Sequence, residues 1–221
     1  MSIKPYGTFG NVAKQKTLKV ILLDCGKLYD DIIESVQDKY YGVTLSKQKS
    51  LSNQELDSTN IESLMEKLAS KDGVTRTKAR KSLIALGKPA VSSLIETLQN
   101  SKLDHLRWEA AKTLGAIGDA KAIPPLVKAL EDGDHDVAWL AAVALKKFKK
   151  AAWPTLLRVL IKRRSDSVLL RQGAHHVLRN QKEDGFNDLL ATLKKALESD
   201  TVPESTAIAA YDILKQMKAK S

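Results

Sequence analysis

The sequence predicts an all-α fold, an α-solenoid of about five helical hairpins, and three observations carry that expectation. The first is an internal repeat. Thr75–Leu83, Leu106–Leu114, Val137–Leu145 and Leu170–Leu178 align without gaps, which spaces Ala79, Ala110, Ala141 and Ala174 by 31, 31 and 33 residues. The second is that the following halves repeat too. Leu94, Leu126, Leu156 and Leu189 are followed four residues later by Leu98, Leu130, Leu160 and Leu193, a spacing that sets each pair on one helical stripe. The third is composition. Of 221 residues only 5% are aromatic against 43% apolar, so the core is built mainly from Leu, Ile, Val and Ala, which suits helices better than β-sandwiches.

Residues 1–16, with Pro5, Gly7 and Gly10, read as a poorly ordered start. Leu18, Ile21, Leu22, Cys25, Leu28, Ile32, Val36 and Tyr40 then recur every three or four residues. That spacing predicts an amphipathic helix from about Thr17 to Tyr41, capping the open end of the array, with a strand at Lys19–Leu23 as the alternative. Gly42–Ser58 is rich in Ser, Lys, Gln and Asn and reads as a flexible linker. The expected division is therefore an N-terminal segment, residues 1–58, and a repeat domain, residues 59–221. A second use for the N-terminal segment is as a partner-binding arm.

Within the repeat domain, the Ala in the middle of each first helix lets neighbouring helices approach closely, and the Leu pairs form a continuous core. Gly87, Gly118 and Gly185 fall between the two helices of their units, where a left-handed or tight-turn residue is wanted. The third unit has Lys149 or Lys150 there instead. Pro124 and Pro154 stand in the first turn of second helices, where a fixed φ is pre-organised. A fifth, truncated copy places Ala210 and Leu214 36 residues after Ala174 and Leu178.

The pattern Arg107-x-x-Ala110-x-x-x-Leu114-x-x-Ile117-Gly118-x-x-x-Ala122-Ile123-x-x-Leu126-x-x-x-Leu130 resembles the HEAT-like repeat, in particular the short variety named after phycobilisome lyases. The resemblance runs from about Glu62 to Met217 and implies a right-handed superhelix with its second helices on the concave side. It says less about activity, because such repeats serve bilin lyases, hydroxylases, DNA-repair glycosylases and many adaptors. Ala138 departs from the pattern, standing where the other units have Arg76, Arg107 and Arg171.

Few chemistries find support in the residues. HEAT-like hydroxylases rest on repeated His-Glu pairs, whereas His105, His135, His175 and His176 are followed by Leu, Asp, His and Val. His175 and His176 point about 100° apart on a helix and cannot ligate one metal together from that helix. Phosphate-binding loops and serine-hydrolase motifs are absent. Cys25 sits on an apolar stripe and reads as a small core residue; as the one cysteine it makes no internal disulfide, so a reducing, cytoplasmic setting is expected. Val20–Leu23 is broken by Asp24, and no run reaches transmembrane length. No catalytic residue, metal, cofactor or small-molecule ligand is expected.

Charge points to the binding surface. The net charge of +10 is concentrated where Val137–Ser165 contains no acid but eight cations, Lys146, Lys147, Lys149, Lys150, Arg158, Lys162, Arg163 and Arg164. Such a patch attracts an acidic protein surface or nucleic-acid phosphate, and its plainest use is solubility. On second helices, the resemblance places Lys128, Arg158, Lys162 and Lys195 toward the concave groove, with Arg163 beside them. Trp108 and Trp139 share one alignment position in consecutive first helices, where packing between repeats is expected and an exposed aromatic ledge is the alternative. Trp153, aligned with Phe186, belongs to the core. The function expected from these residues is a non-enzymatic interaction scaffold that binds an acidic partner through Lys128, Arg158, Lys162, Arg163, Lys195, Trp108 and Trp139. Nucleic-acid binding is the rival reading, and a bilin lyase or tetrapyrrole chaperone is the enzymatic one.

Overall fold

The computed structural model describes residues 60–162, 167–198 and 203–220. The helix, linker and arm expected within residues 1–58 lie outside these, as does Arg163. The first described helix, α1, covers residues 60–68. After it come α2 (Gly73–Leu86), α3 (Val91–Asn100), α4 (Asp104–Ile117) and α5 (Ile123–Lys128). The remainder are α6 (His135–Lys147), α7 (Trp153–Lys162), α8 (Val168–Leu178), α9 (Asn187–Glu198) and α10 (Pro203–Ala219). No strand occurs among the described residues.

Local chemistry sets the ends of these helices. The Asp72 carboxylate accepts the Val74 and Thr75 backbone N–H groups at 3.3 and 2.8 Å, Asp134 accepts Val137 N–H at 2.9 Å, and Ser167 Oγ accepts Leu170 N–H at 3.2 Å. Bonds from the Thr75 hydroxyl and backbone hold the Asp72 carboxyl below the ordinary carboxylate range. Gly118 closes α4 at φ 74°, the left-handed conformation that glycine adopts without steric cost. In the third hairpin that conformation falls to Lys149, at φ 51°, which settles the choice between Lys149 and Lys150.

The hairpins α2/α3, α4/α5, α6/α7 and α8/α9 stack as a solenoid. First helices pack on first helices, α2 on α4, α4 on α6 and α6 on α8, while α3 packs on α5 and α5 on α7. Ala79, Ala110, Ala141 and Ala174 are buried along one row, and Leu94, Leu126, Leu156 and Leu193 are buried in the second helices. Helices α4 and α6 come close at Gly115, where a Cβ would stand 2.5 Å from Ala144 Cβ. Trp153 is 1% exposed and meets Phe186 edge-on at 5.9 Å, so both aligned aromatics are core residues.

The fifth copy departs from expectation. Instead of continuing the row of first helices, α10 packs on α7 and α9. Helix α7 differs from the other second helices at Ile161, which packs against the core beside the buried Leu157. The positions that align with Ile161 are Gln99, Glu131 and Lys194, whereas the Leu157 position is apolar in every second helix, as Ile95, Val127 and Leu190, so Ile161 alone sets α7 apart. Helix α10 buries Ala209, Ala210 and Ile213 in return. It is fastened by Thr206 Oγ1 donating to Ala196 O at 3.2 Å, by the Gln216 amide donating to Gly185 O, and by Lys220 lying 4.9 Å from the Phe186 ring centre. Among the described residues the solenoid therefore has four stacked hairpins, preceded by α1, and a terminal helix folded onto the second-helix layer.

Candidate functional site

Two groups of cations matter among the many that the repeat domain carries, others such as Lys78, Lys81, Lys147 and Lys149 also being exposed. One group fastens the array. Arg76 donates to the carbonyls of Ser70 and Lys71 at 2.9 and 2.8 Å and reaches the Glu109 carboxylate at 3.7 Å, while Arg80 meets Glu109 at 2.5 Å. Arg107 grips both Asp132 oxygens at 2.9 and 2.7 Å, a bidentate geometry, and also donates to Asp104 and to Ser101 O. The bond to Asp132 raises the Arg107 pKa above its ordinary value. Lys150 pairs with Glu183 at 2.8 Å and lies 4.8 Å from the Phe186 ring centre. Arg76, Arg80 and Lys150 tie one repeat to the next, and Arg107 ties together the two ends of its own hairpin.

The second group is exposed: Lys128 on α5, Arg158 and Lys162 on α7, and Lys195 on α9. None of the four makes an ion pair among the described residues. Arg158 and Lys162 are four residues apart and so share one face of α7, where like charges cost about 0.2–0.5 kcal/mol. Lys128 lies on the helix that packs beside α7. Lys195 does not simply extend this row, because α10 packs against both α7 and α9.

The two tryptophans part company. Trp108 is half-buried against the core with Lys112 Nζ 5.4 Å from its ring centre. Trp139 is 54% exposed, and its ring lies 4.1 Å from the His176 ring on the next first helix, α8, tilted by 51°. Its ring partner is therefore an imidazole rather than Trp108. Burial, then the charges of Lys146, Arg179 and His175, push the His176 pKa below its ordinary value, which keeps the ring neutral at pH 7. His175 takes another direction and meets the Glu198 carboxylate at 2.8 Å. Trp139, His176, Ala138 and Gln172 line a cavity of about 220 Å³. Gln172 and His176, four residues apart, share one helical face, but the Trp139 contact depends on a neighbouring helix and is not legible from that spacing.

Among the described residues, no group of three or more His, Cys, Asp or Glu is arranged to hold a metal ion, and no helix is long and apolar enough to cross a membrane. The family model for HEAT repeats matches residues 61–146. Among solved structures, the complex of CpcE and CpcF of phycocyanin lyase from Nostoc sp. PCC7120 is similar at 21% identity, covering 70% of this chain and 97% of that chain with a TM-score of 0.50. At that identity the likeness concerns the fold. No curated protein matches the chain.

Proposed function

We propose that this HEAT-like repeat protein is a non-enzymatic scaffold that binds an acidic partner protein through the exposed cations of its second helices, with Arg158 and Lys162 at the centre. One observation carries the reading. Arg76, Arg80 and Lys150 are engaged in ion pairs between repeats and Arg107 in ion pairs within its own, whereas Arg158 and Lys162 share a face of α7, are exposed, and make no ion pair among the described residues. Two unpaired like charges on one helix face oppose folding slightly and favour an acidic partner. Lys128 adds a third cation on the adjacent second helix. HEAT repeats support a protein partner more than a chemical reaction.

The test is a pull-down from the source cells, with and without nuclease, beside an Arg158→Glu/Lys162→Glu variant of unchanged helicity. A protein retained after nuclease and lost in the variant is the expected outcome. Retention that disappears with nuclease would replace the proposal with nucleic-acid binding, and equal retention by the variant would reduce the patch to a solubility feature. The likeness of fold to the phycocyanin lyase complex supports a second reading, a tetrapyrrole lyase or chaperone, which quenching of tryptophan fluorescence by added bilin would carry.

A further inference from the structure

The junctions between first helices are filled differently. Between α2 and α4, Glu109, 4% exposed, sits against Arg80 and Arg76, so three large charged side chains occupy the space. Two repeats further on, the same alignment positions hold small residues. Ala138 stands for Arg76, Ala142 for Arg80 and Gly173 for Glu109. All three line the cavity of about 220 Å³ between α6 and α8. Nor can Gly173 simply be enlarged, because a Cβ there would stand 2.9 Å from Leu130 Cδ2.

The walls say what would fit. Trp139 presents a largely exposed ring on one side, with the neutral His176 ring against it, and the Gln172 amide supplies a donor and an acceptor at the edge. The volume exceeds the roughly 150 Å³ of a cavity known to take benzene and falls short of the roughly 300 Å³ at which pockets for drug-sized molecules begin, so it suits one ring. The His176 side of the cavity is positive, whereas Glu131, Asp134 and Asp136 flank its Leu130 and His135 side. Helices α6 and α8 carry Lys146, Lys147 and Arg171 against a single acid, Asp136, and both Lys146 and Arg179 act on His176.

We propose that the cavity between α6 and α8 is an anchor site for one aromatic side chain, presented by an acidic segment of a partner protein. The site lies on first helices, whereas Arg158 and Lys162 belong to a second helix, so either assignment can fail alone. The experiment titrates the full chain with the peptide Glu-Glu-Tyr-Glu-Glu, with its Ala-centred counterpart, and with free p-cresol, following heat and the indole N–H signal of Trp139. The Tyr peptide is expected to bind at least about tenfold more tightly than the Ala peptide and than p-cresol, and to shift the Trp139 signal. Filling the cavity with Ala138→Leu, or removing its wall with Trp139→Ala, should abolish that preference, while Arg158→Glu/Lys162→Glu should retain it. The exposed Trp139 keeps the test informative if Ala138→Leu folds poorly. Equal binding of the Tyr and Ala peptides would overturn the proposal, as would an undiminished preference in Trp139→Ala. Binding of p-cresol as tight as that of the Tyr peptide would overturn it in favour of a free aromatic molecule.

Discussion

The α2/α4 and α6/α8 junctions are built from the same repeat positions and come out opposite. At α2/α4 the positions hold Arg76, Arg80 and Glu109, which meet across the junction. At α6/α8 they hold Ala138, Ala142 and Gly173 and enclose empty space beside an exposed tryptophan. Because each repeat contacts mainly its neighbours, a solenoid can close one junction and open another without changing the fold. At the intervening α4/α6 junction Gly115 lies directly against Ala144, and a cavity of about 270 Å³ opens beside them, lined by Lys112, Ala116, Leu140 and Ala144.

The largest effect should come from breaking the closed junction. Glu109→Ala leaves two arginines, each about one-fifth exposed, facing one another without their carboxylate. A loss of about 3 kcal/mol is expected, read as an earlier midpoint in urea unfolding. A change below about 0.5 kcal/mol would show that the ion pairs do not fasten the array. Adding carbon atoms should separate the other two junctions. Gly115→Ala forces a methyl group against Ala144 and should cost about 2 kcal/mol. Ala138→Leu adds more atoms but places them in the open cavity, so its change should stay within about 1 kcal/mol. The reverse order would mean that the cavity is closed in solution.

The smallest effect concerns pH. The His176 pKa is lowered in the folded chain, first by burial and then by Lys146, so the unfolded chain takes up its proton first as pH falls. Stability contributed by the neutral ring is therefore complete above about 6.5 and is lost as pH falls from there through the lowered folded value. Relative to a His176→Gln variant, the wild-type chain should become less stable over that window in thermal unfolding. A constant difference between the two would remove His176 from the account.

Much of the array was legible in the sequence because its signals are local and periodic. The buried row from Ala79 to Ala174, the Leu stripes of the second helices and the left-handed turn at Gly118 are set by spacing and backbone geometry. What escaped depends on neighbours. Trp108 and Trp139 occupy one alignment position, yet one packs on the core and the other stands out against His176. The fate of α10 was hidden for a similar reason: Ala210 and Leu214 fit the repeat register, yet the helix packs on α7, where Ile161 stands in place of the polar residues of the other second helices. The exposed cations Lys128, Arg158, Lys162 and Lys195 could be named from charge together with the repeat register, whereas the engagement of Lys150 with Glu183 required the fold.

Acrylamide quenching of tryptophan fluorescence tests the contrast between open and closed junctions most directly, comparing the wild-type chain with Trp108→Phe and Trp139→Phe. If α6/α8 is open, Trp139→Phe should remove most of the quenchable emission and Trp108→Phe little of it, because Trp139 is 54% exposed while Trp108 packs against the core. Equal losses in the two variants, or the greater loss in Trp108→Phe, would contradict the open junction and the anchor site built on it.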